Sequence, residues 1–580
     1  MQTELESTAE CGPIITREIA IELNDAMVAW IGRSSGGLPG PRIVQAYLDW
    51  LINLSVAPGR QLEILEALIR SRLDLIKCAL RGAEATTDRR FKAEGWQKRP
   101  YSWLVQAALH RDELLRIATE PLPGMDAHNA QLVQFYTKQL VDMLSPANFA
   151  LTNPEVLQAT IAQRGKNLLR GARFAVGDLV RKVTDTDLSA SDAFQVGENL
   201  AVTPGKVIYR NSLMELIQYS PTTENVYAEP ILYVPAWIMK YYILDLQPSN
   251  SMMRWLVEQG HTVFAISWKN PDKDDAHLTM EDYRTLGVAE ALDVISAVVP
   301  EQKIHTVGYC VGGTLLTIAA AVMAREGDDR LQSVTLFAAQ TDFTDAGELR
   351  LFIDEMTLYW LDQQMKRNGF LATKQMGGAF SALRAPDLLW QPMLRRYCLG
   401  EDSAGFDIMS WNADGTRMPY KMHSDYLRQL YLKNELAQGK YVAGGRAISI
   451  GDITVPMYIV GTTADHIAPW QSVYKTRNLK KLGETTFCLT AGGHNAGIVS
   501  EPGRPRRSYS VGSWDQNSGY QSPEEWQAAA QAHEGSWWLN WQVWLAEHSG
   551  SERSAPPTIG APDKGHYVLC DAPGTYVLQR

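Results

Sequence analysis

The most informative stretch of the chain is Ile304-His-Thr-Val-Gly-Tyr-Cys310-Val-Gly-Gly-Thr-Leu-Leu-Thr-Ile-Ala-Ala320. It opens on β-branched residues typical of a buried strand and ends on residues with few helix breakers, as a helix requires. Between them, Gly308 and Gly312 flank Cys310 in a G-x-C-x-G pattern. Glycine fits a turn in which strand and helix approach too closely for side chains. The stretch therefore predicts a strand, a tight turn centred on Cys310 and a helix.

This order of elements is typical of the nucleophile elbow, the turn on which an α/β-hydrolase exposes its attacking side chain. The alternative is a buried structural cysteine beside a glycine-rich turn, because cysteine is often buried and inert. From about residue 205, short β-rich runs alternate with helical segments, which is typical of a mostly parallel sheet. The predicted strands are 206–210, 214–219, 231–234, 262–267, 305–307, 333–337, 457–460 and 486–490. The sequence therefore predicts an α/β-hydrolase domain over residues 205–548.

The regions around this domain have other patterns. Residues 1–204 show helical periodicity, which predicts an α-helical N-terminal domain that packs on itself, on a partner copy or on a surface. Between about 340 and 452 the alternation stalls, which predicts a cap inserted over the carboxyl edge of the sheet. Ser522-Pro-Glu-Glu predicts the start of one helix that carries, as core side chains, Trp526, Trp537, Trp538, Trp541 and Trp544. We expect the C-terminal tail at 549–580 to be loosely ordered.

The composition excludes several classes of protein. The apolar fraction of 45% and the charged fraction of 21% are ordinary for a soluble globular chain. A formal net charge of −10 argues against a nucleic-acid binder, which needs a basic surface. We find no apolar run of transmembrane length and no secretory signal, so we expect a cytoplasmic protein. The six cysteines never form C-x-x-C, which argues against a disulfide framework or a zinc site, and we expect neither metal nor cofactor.

Two later loops offer partners for Cys310. In an α/β-hydrolase the nucleophile, the acid and the histidine follow in that chain order, and the last two lie just beyond strand ends. The predicted strand 457–460 leads into a loop that contains Asp465, and the strand 486–490 leads into one that contains His494. We therefore predict a catalytic triad of Cys310, Asp465 and His494.

The predicted chemistry depends on the thiolate, which is the reactive form of cysteine. The start of the helix after Cys310 and a nearby His494 both favour this anion, and Asp465 would hold the imidazole in its useful tautomer. His466 competes for the histidine position. Because it shares the loop of the acid, its side chain should point elsewhere, and we expect it to be structural.

Oxyanion donors complete the predicted site. The backbone N–H of Val311 should supply one, and the loop after strand 231–234 should supply another near Ala236 and Trp237. A cysteine nucleophile also indicates the substrate, because exchange of one thioester for another is nearly isoenergetic. The site therefore suits acyl transfer from a coenzyme A thioester to an alcohol.

Several motifs, spread over essentially the whole chain, resemble those of the polyhydroxyalkanoate synthases. Gly308-Tyr-Cys-Val-Gly-Gly-Thr is similar to the lipase-like box of that family. The motifs similar to further family blocks are Trp237-Ile-Met-Lys-Tyr-Tyr-Ile-Leu-Asp-Leu, Ser267-Trp-Lys-Asn-Pro-Asp, Phe406-Asp-Ile-Met-Ser-Trp-Asn-Ala-Asp, Asp465-His-Ile-Ala-Pro-Trp and Ala572-Pro-Gly-Thr-Tyr-Val.

The resemblance implies a class I enzyme that polymerises (R)-3-hydroxyacyl-CoA, chiefly short-chain 3-hydroxybutyryl-CoA, into polyester with release of CoA. Cys310 would carry the growing chain as a thioester, His494 would activate the thiol, and Asp465 would assist His494 or the incoming 3-hydroxyl. The resemblance also implies a homodimer on the surface of cytoplasmic polyester granules, with the N-terminal domain supporting granule association or dimerisation. Two alternatives stay open: a cysteine-dependent esterase or thioesterase, and a non-catalytic granule-associated scaffold.

Overall fold

The structure is a computed structural model that describes residues 40–81, 86–183, 194–373, 375–378, 389–402, 406–515 and 517–580. Residues 1–39 of the predicted N-terminal domain and residues 379–388 of the predicted cap lie outside the described residues.

The N-terminal region is helical, as predicted. Its helices are α1 (Gly40–Ser55), α2 (Pro58–Arg81), α3 (Tyr101–Ala118), α4 (Ala127–Met143), α5 (Pro154–Ala162) and α6 (Lys166–Val183). Their starts follow ordinary capping chemistry: the Asp126 carboxylate accepts the Asn129 N–H at the start of α4, and Asn153 caps α5 ahead of Pro154. Helix α1 packs on α4, and α2 packs on α3. Among the described helices, none combines the length and the apolar character that crossing a bilayer requires.

An 11-stranded sheet forms the centre of the α/β region. Its strands are β1 (Gly205–Arg210), β2 (Met214–Tyr219), β3 (Ile231–Val234), β4 (Val263–Trp268), β5 (Ile304–Tyr309), β6 (Leu331–Phe337), β7 (Met457–Thr462), β8 (Thr485–Thr490), β9 (Ser508–Trp514), β10 (Ala532–Glu534) and β11 (Cys570–Asp571). The spatial order is β10-β9-β8-β7-β6-β5-β3-β4-β2-β1-β11. The six strands from β8 to β4 are parallel, and the strands at both edges are antiparallel. All eight predicted strands are present, and β9, β10 and β11 are additions.

Helices pack against this sheet and build the insertion between β6 and β7. They are α7 (Met252–Glu258), α8 (Glu290–Val298), α9 (Val311–Glu326), α10 (Glu355–Asn368), α11 (Asp407–Ala413), α12 (Tyr420–Tyr426), α13 (Trp470–Leu479), α14 (Pro523–Ala529) and α15 (Trp537–Glu547). Helix α9 is buried over its first thirteen residues, from Val311 to Met323, because strand and helix layers enclose it. Helices α10, α11 and α12 belong to the insertion, hereafter the cap.

The prediction of one tryptophan-rich helix is wrong in its extent. The capping box of Ser522, with Pro523 at the first helical position and Glu525 at the third, is confirmed, but α14 ends at Ala529. Strand β10 follows and pairs with β9, and α15 then carries the four later tryptophans. The core assignment holds, since all five indole side chains are at most 5% exposed. Pairing at the sheet edge thus divides a segment that looks continuously helical in sequence.

The prediction of a loosely ordered C-terminal tail is also wrong. Strand β11 extends the sheet by pairing with β1, and the buried Glu215 carboxylate accepts the N–H groups of Thr575 and Tyr576, each at 2.9 Å. The Lys240 ammonium donates to the carbonyl of Gln579 at 2.7 Å, and burial lowers its pKa to about 8. The tail is therefore anchored to the sheet and to the loop after β3.

Candidate active site

Cys310 occupies the sharp turn between β5 and α9. Its backbone lies at φ 53° and ψ −129°, a conformation that residues other than glycine rarely adopt. Such strain costs about 1–3 kcal/mol and concentrates at functional sites. The geometry is that of the predicted elbow, with the side chain at the tip of the turn and 9% of the residue exposed.

Three glycines make this turn sterically feasible. A Cβ on Gly308 would lie 2.4 Å from the Cα of Gly313, and one on Gly312 would lie 2.4 Å from the carbonyl oxygen of Pro235. A Cβ on Gly313 would lie 2.5 Å from that of Ala339. These distances are far below van der Waals contact. The glycines therefore allow β5, α9 and the loop after β3 to meet around Cys310.

Asp465 and His494 form a pair at the ends of β7 and β8. Nδ1 of His494 lies 2.8 Å from Oδ2 of Asp465, and the carboxylate side chain is fully buried. Its other oxygen accepts the backbone N–H groups of Ile467 and Ala468, each at 2.9 Å. Because the carboxylate is held from several sides, it fixes the orientation of the imidazole.

The charges of this pair support each other. Burial alone would raise the pKa of Asp465, but the adjacent His494 and the two backbone donors outweigh burial and hold the pKa below its usual value. Burial likewise opposes a charge on His494, yet Asp465 and then the nearby Cys310 thiol raise its pKa well above the usual value. The structure thus brings the three predicted residues together, with His494 between Asp465 and Cys310.

Tyr309 is a neighbour of this site that the sequence analysis missed. Its ring lies nearly parallel to that of His494, with centroids 5.5 Å apart. Its hydroxyl donates to Oδ1 of Asn495 at 2.5 Å and to the carbonyl of His494 at 3.3 Å. Tyr309 therefore supports one face and the backbone of the histidine. The only signal in the sequence was its position immediately before Cys310.

A cavity of about 70 Å³ lies over Cys310. Its walls come from the elbow, from the loop after β3, from the loop after β7 and from the cap. Most lining side chains are apolar; those with polar atoms are Trp237, Cys310, Thr314, Gln340, His423, Tyr426 and Tyr431. The described part of the predicted cap thus contributes walls to the cavity over the thiol.

The predicted oxyanion donors surround this cavity. Val311 begins α9, where the first four backbone N–H groups of a helix have no partner within the helix. Val311 and Trp237 line the cavity, and Ala236 is buried beside them. The cap braces their loop, since the Thr416 hydroxyl donates to the carbonyl of Trp237 at 2.5 Å. The donor assignment itself stays a prediction.

No metal-binding cluster of three or more His, Cys, Asp or Glu side chains occurs in the described part of the chain. The expectation that the protein uses neither metal nor cofactor stays a prediction.

Comparisons with known proteins show the family of the chain. A family model described as "Poly-beta-hydroxybutyrate polymerase (PhaC) N-terminus" matches residues 87–256, and one described as "alpha/beta hydrolase fold" matches residues 229–501. The sequence is 36% identical to poly(3-hydroxyalkanoate) polymerase subunit PhaC of Rhizobium meliloti, over 97% of this chain and 94% of that protein. It is 41% identical to poly(3-hydroxyalkanoate) polymerase of Methylorubrum extorquens, over 85% and 81% of the two chains. It is 37% identical to the PhaC subunit of Cupriavidus necator, over 94% and 91%. The α/β-hydrolase fold is thereby confirmed, and the chain belongs to the poly(3-hydroxyalkanoate) polymerase family of acyltransferases.

Proposed function

We propose that this enzyme polymerises (R)-3-hydroxyacyl-CoA, with short-chain 3-hydroxybutyryl-CoA as its preferred monomer, through a thioester on Cys310. The observation that carries the proposal is the convergence of a strained, covered thiol with a histidine that a buried carboxylate orients. A thiol paired with such a base is an activated nucleophile for acyl groups.

The first step is acylation of Cys310. Because Asp465 and Cys310 raise the proton affinity of His494, the ring can accept the thiol proton and hold it as a cation beside the sulfur. The sulfur attacks the thioester carbonyl, with the N–H of Val311 and a donor from the loop after β3 facing the developing oxyanion. The bond between the carbonyl carbon and the CoA sulfur breaks, and His494 returns the proton to the departing CoA thiolate.

The second step forms the ester. The 3-hydroxyl oxygen of another acyl unit attacks the carbonyl held on Cys310, and His494 takes the hydroxyl proton, with Asp465 stabilising the cation. The bond from carbon to the cysteine sulfur breaks as the ester bond forms. The proton then returns to the sulfur, so the thiol is regenerated and no oxidant or cofactor is consumed.

The size of the cavity supports a short-chain monomer. Its volume is about 70 Å³. Typical ligand pockets measure about 300–1,000 Å³, so the described cavity is small and suits a short acyl chain. Phe343, Leu349 and Ile353 of the cap form apolar walls that limit the acyl chain.

The N-terminal helices support the further proposal that the enzyme works as a homodimer at the surface of cytoplasmic polyester granules. Helix α2 exposes a series of large apolar side chains, with Leu62, Leu65, Ile69, Leu73 and Ile76 each about half exposed or more. Monomeric proteins rarely leave such a continuous apolar surface in water. A hydrophobic polymer or a second copy of the chain would cover it.

The experiment is an assay of purified protein with (R)-3-hydroxybutyryl-CoA in which CoA release and insoluble polymer are measured together. We expect both from the wild type and neither from Cys310→Ala. Free 3-hydroxybutyrate as the sole product would instead establish the esterase or thioesterase alternative. Granule formation in cells that is unchanged by Cys310→Ala would establish the scaffold alternative.

Cys488 provides a matched control. It is also a buried cysteine, on β8, but burial raises the pKa of its thiol to about 12, so it is not poised for attack. We expect Cys488→Ala to retain CoA release and polymer formation.

A further inference from the structure

One part of the cap that borders the cavity also contacts the N-terminal helices. It is the segment 348–354, hereafter the wall segment, which begins with a 3₁₀ turn at Glu348–Phe352 and ends where α10 starts. Leu349 and Ile353 of this segment line the cavity over Cys310. The wall segment therefore forms part of the boundary that an acyl chain on the thiol would meet.

Leu351 and Phe352 of the wall segment pack on the N-terminal helices. Leu351 packs against a small buried cluster that α1 and α4 share, which includes Leu132. The ring of Phe352 meets that of Phe135, on α4, edge to face, with the two centroids 5.5 Å apart. One short segment therefore both lines the cavity and packs on the N-terminal helices.

The carboxylate of Asp354, at the end of the wall segment, is held by two N-terminal side chains. Nε of Arg42, on α1, donates to its Oδ2 at 2.6 Å, and Nε2 of His128, on α4, lies 3.2 Å from the same oxygen. Its Oδ1 accepts the backbone N–H of Thr357 at 2.8 Å and so caps α10. Burial alone would raise the pKa of this carboxylate, but the hydrogen bonds from His128 and the other donors hold the pKa well below its usual value.

Arg42 is itself buried and fixed. The residue is 8% exposed, and its Nη1 donates to Oδ1 of Asn129, on α4, at 2.5 Å. Removal of one partner of a buried ion pair leaves the other charge without its counter-ion, so the remaining partner has to move or find water. Asp354 is bonded directly to Ile353, which lines the cavity. A movement of the Asp354 carboxylate would therefore reach the cavity wall through one peptide unit.

We propose that Arg42 is a positioning residue for the cavity wall that faces the acyl chain. By holding Asp354, the Arg42 guanidinium fixes Ile353 and the wall segment, so the N-terminal helices help to decide how long an acyl chain the cavity admits. Arg42 acts through Asp354 and does not line the cavity itself. This inference rests on the proposed function, since it assumes that the acyl group enters this cavity.

A second contact between the N-terminal helices and the cap provides a matched control. The Asp178 carboxylate, on α6, accepts a hydrogen bond from Nε of Arg396 at 2.8 Å and another from the Tyr397 hydroxyl at 3.0 Å. None of the described residues 394–402 lines the cavity. The chain thus offers two ion pairs between the same two regions, one beside a cavity wall and one not.

The test compares two chain lengths in the acylation step alone. Single-turnover CoA release is measured with (R)-3-hydroxybutyryl-CoA and with (R)-3-hydroxyhexanoyl-CoA, which is two methylene groups longer, for wild type, Arg42→Gln and Asp354→Asn. Asparagine also caps helices well, so Asp354→Asn removes the charge and keeps the start of α10. We expect the preference for the shorter chain to fall about tenfold in each variant, the lower end of what one methylene group decides in an apolar pocket. Because both rates come from one preparation, the folded fraction cancels in the ratio.

Two further variants sharpen the test. The double variant Arg42→Gln/Asp354→Asn should change the ratio no more than Asp354→Asn alone, because both substitutions break the same contact. Asp178→Asn breaks the second ion pair and should keep the ratio. An unchanged ratio in Arg42→Gln and Asp354→Asn, additive changes in the double variant, or an equal change in Asp178→Asn overturns the positioning of the wall. A shifted ratio in Arg42→Gln and Asp354→Asn, with no polymer from the wild type, overturns the proposed function and leaves the positioning of the wall standing.

Discussion

His494 and His423 are two buried imidazoles near the same thiol: one interacts with Cys310, and the other lines the cavity over it. They are 7% and 3% exposed, so burial hardly distinguishes them. His494 has the Asp465 carboxylate 2.8 Å from its Nδ1, whereas Nδ1 of His423 has no partner among the described residues. The pKa of His494 is raised well above its usual value, and burial lowers that of His423 to about 4.

The comparison shows that a charged neighbour, rather than depth, decides what a buried histidine does. The desolvation that keeps His423 neutral also acts on His494, but the Coulomb attraction and hydrogen bonds of Asp465 and Cys310 together exceed it. One ring is therefore suited to accept a proton from sulfur. The other is suited to accept a hydrogen bond and remain uncharged.

Removal of the charged ring should have the largest effect. We expect His494→Ala to lower single-turnover CoA release about 10⁴-fold, at the upper end of what general-base catalysis contributes. The neighbouring His466→Ala is the control and should retain turnover within about threefold, the limit that we set for a structural position. If His466→Ala lowers single-turnover CoA release as much as His494→Ala does, the wrong histidine has been assigned as the base.

Removal of the Asp465 carboxylate alone should lower the pKa of His494, so that this ring resembles His423. We expect Asp465→Asn to lower turnover about 10²-fold, less than removal of the ring, because an amide can still orient it but does not stabilise its charge. The pKa of His494, followed by NMR with ¹⁵N-labelled histidine, should fall below the ordinary value of about 6.5, because burial is then less strongly opposed.

The result of that titration decides between two causes of the raised pKa. If the His494 pKa in Asp465→Asn stays above about 6.5, the Cys310 sulfur rather than the carboxylate is the dominant neighbour. The double variant with Cys310→Ala would then lower the His494 pKa further.

The place of His494 beside Cys310 was predictable from the sequence and the place of His423 at the cavity was not, for a physical reason. In a parallel sheet, the carboxyl ends of neighbouring strands meet at one edge. Residues just after β7 and β8 therefore lie close together, independently of the structure of the chain between the two strands. His423 lies on a short helix of the cap, on an ordinary helical pattern. Its contact with the cavity depends on how the cap folds back, which local periodicity does not encode.

Dependence on contacts distant in sequence also explains why the predictions of a loose tail and of one tryptophan-rich helix were wrong. The Pro-, Gly- and Ser-rich composition of the tail is typical of loose segments, but Thr575 reaches Glu215 across 360 residues of sequence. Helix α14 similarly ends before the later tryptophans, because the segment after it pairs with β9 as strand β10. Elements that are fixed by local periodicity were predicted, and elements that exist only through partners distant in sequence were not.

The smallest expected effect concerns stability in acid. The contributions of the two histidines to the free energy of unfolding change in opposite directions as pH falls. The folded pKa of His494 is raised, so its stabilising contribution is present below the unfolded pKa of about 6.5 and is lost as pH rises through the folded value. The folded pKa of His423 is lowered to about 4, so the unfolded chain binds more protons between about pH 6.5 and pH 4. Its contribution therefore reduces stability as pH falls through that window.

His423→Phe should remove this acid sensitivity. A shift from about 6.5 to about 4 corresponds to about 3 kcal/mol of unfolding free energy at the acid end of the window. Urea unfolding of wild type and variant at pH 7.5 and pH 4.5 measures this free energy. Between pH 7.5 and pH 4.5, the unfolding free energy of the variant should fall by about 2 kcal/mol less than that of the wild type. Equal losses would mean that His423 is protonated in the folded protein near its ordinary pKa. A cationic His423 would remove the difference in pKa between the two histidines, so that difference depends on this measurement.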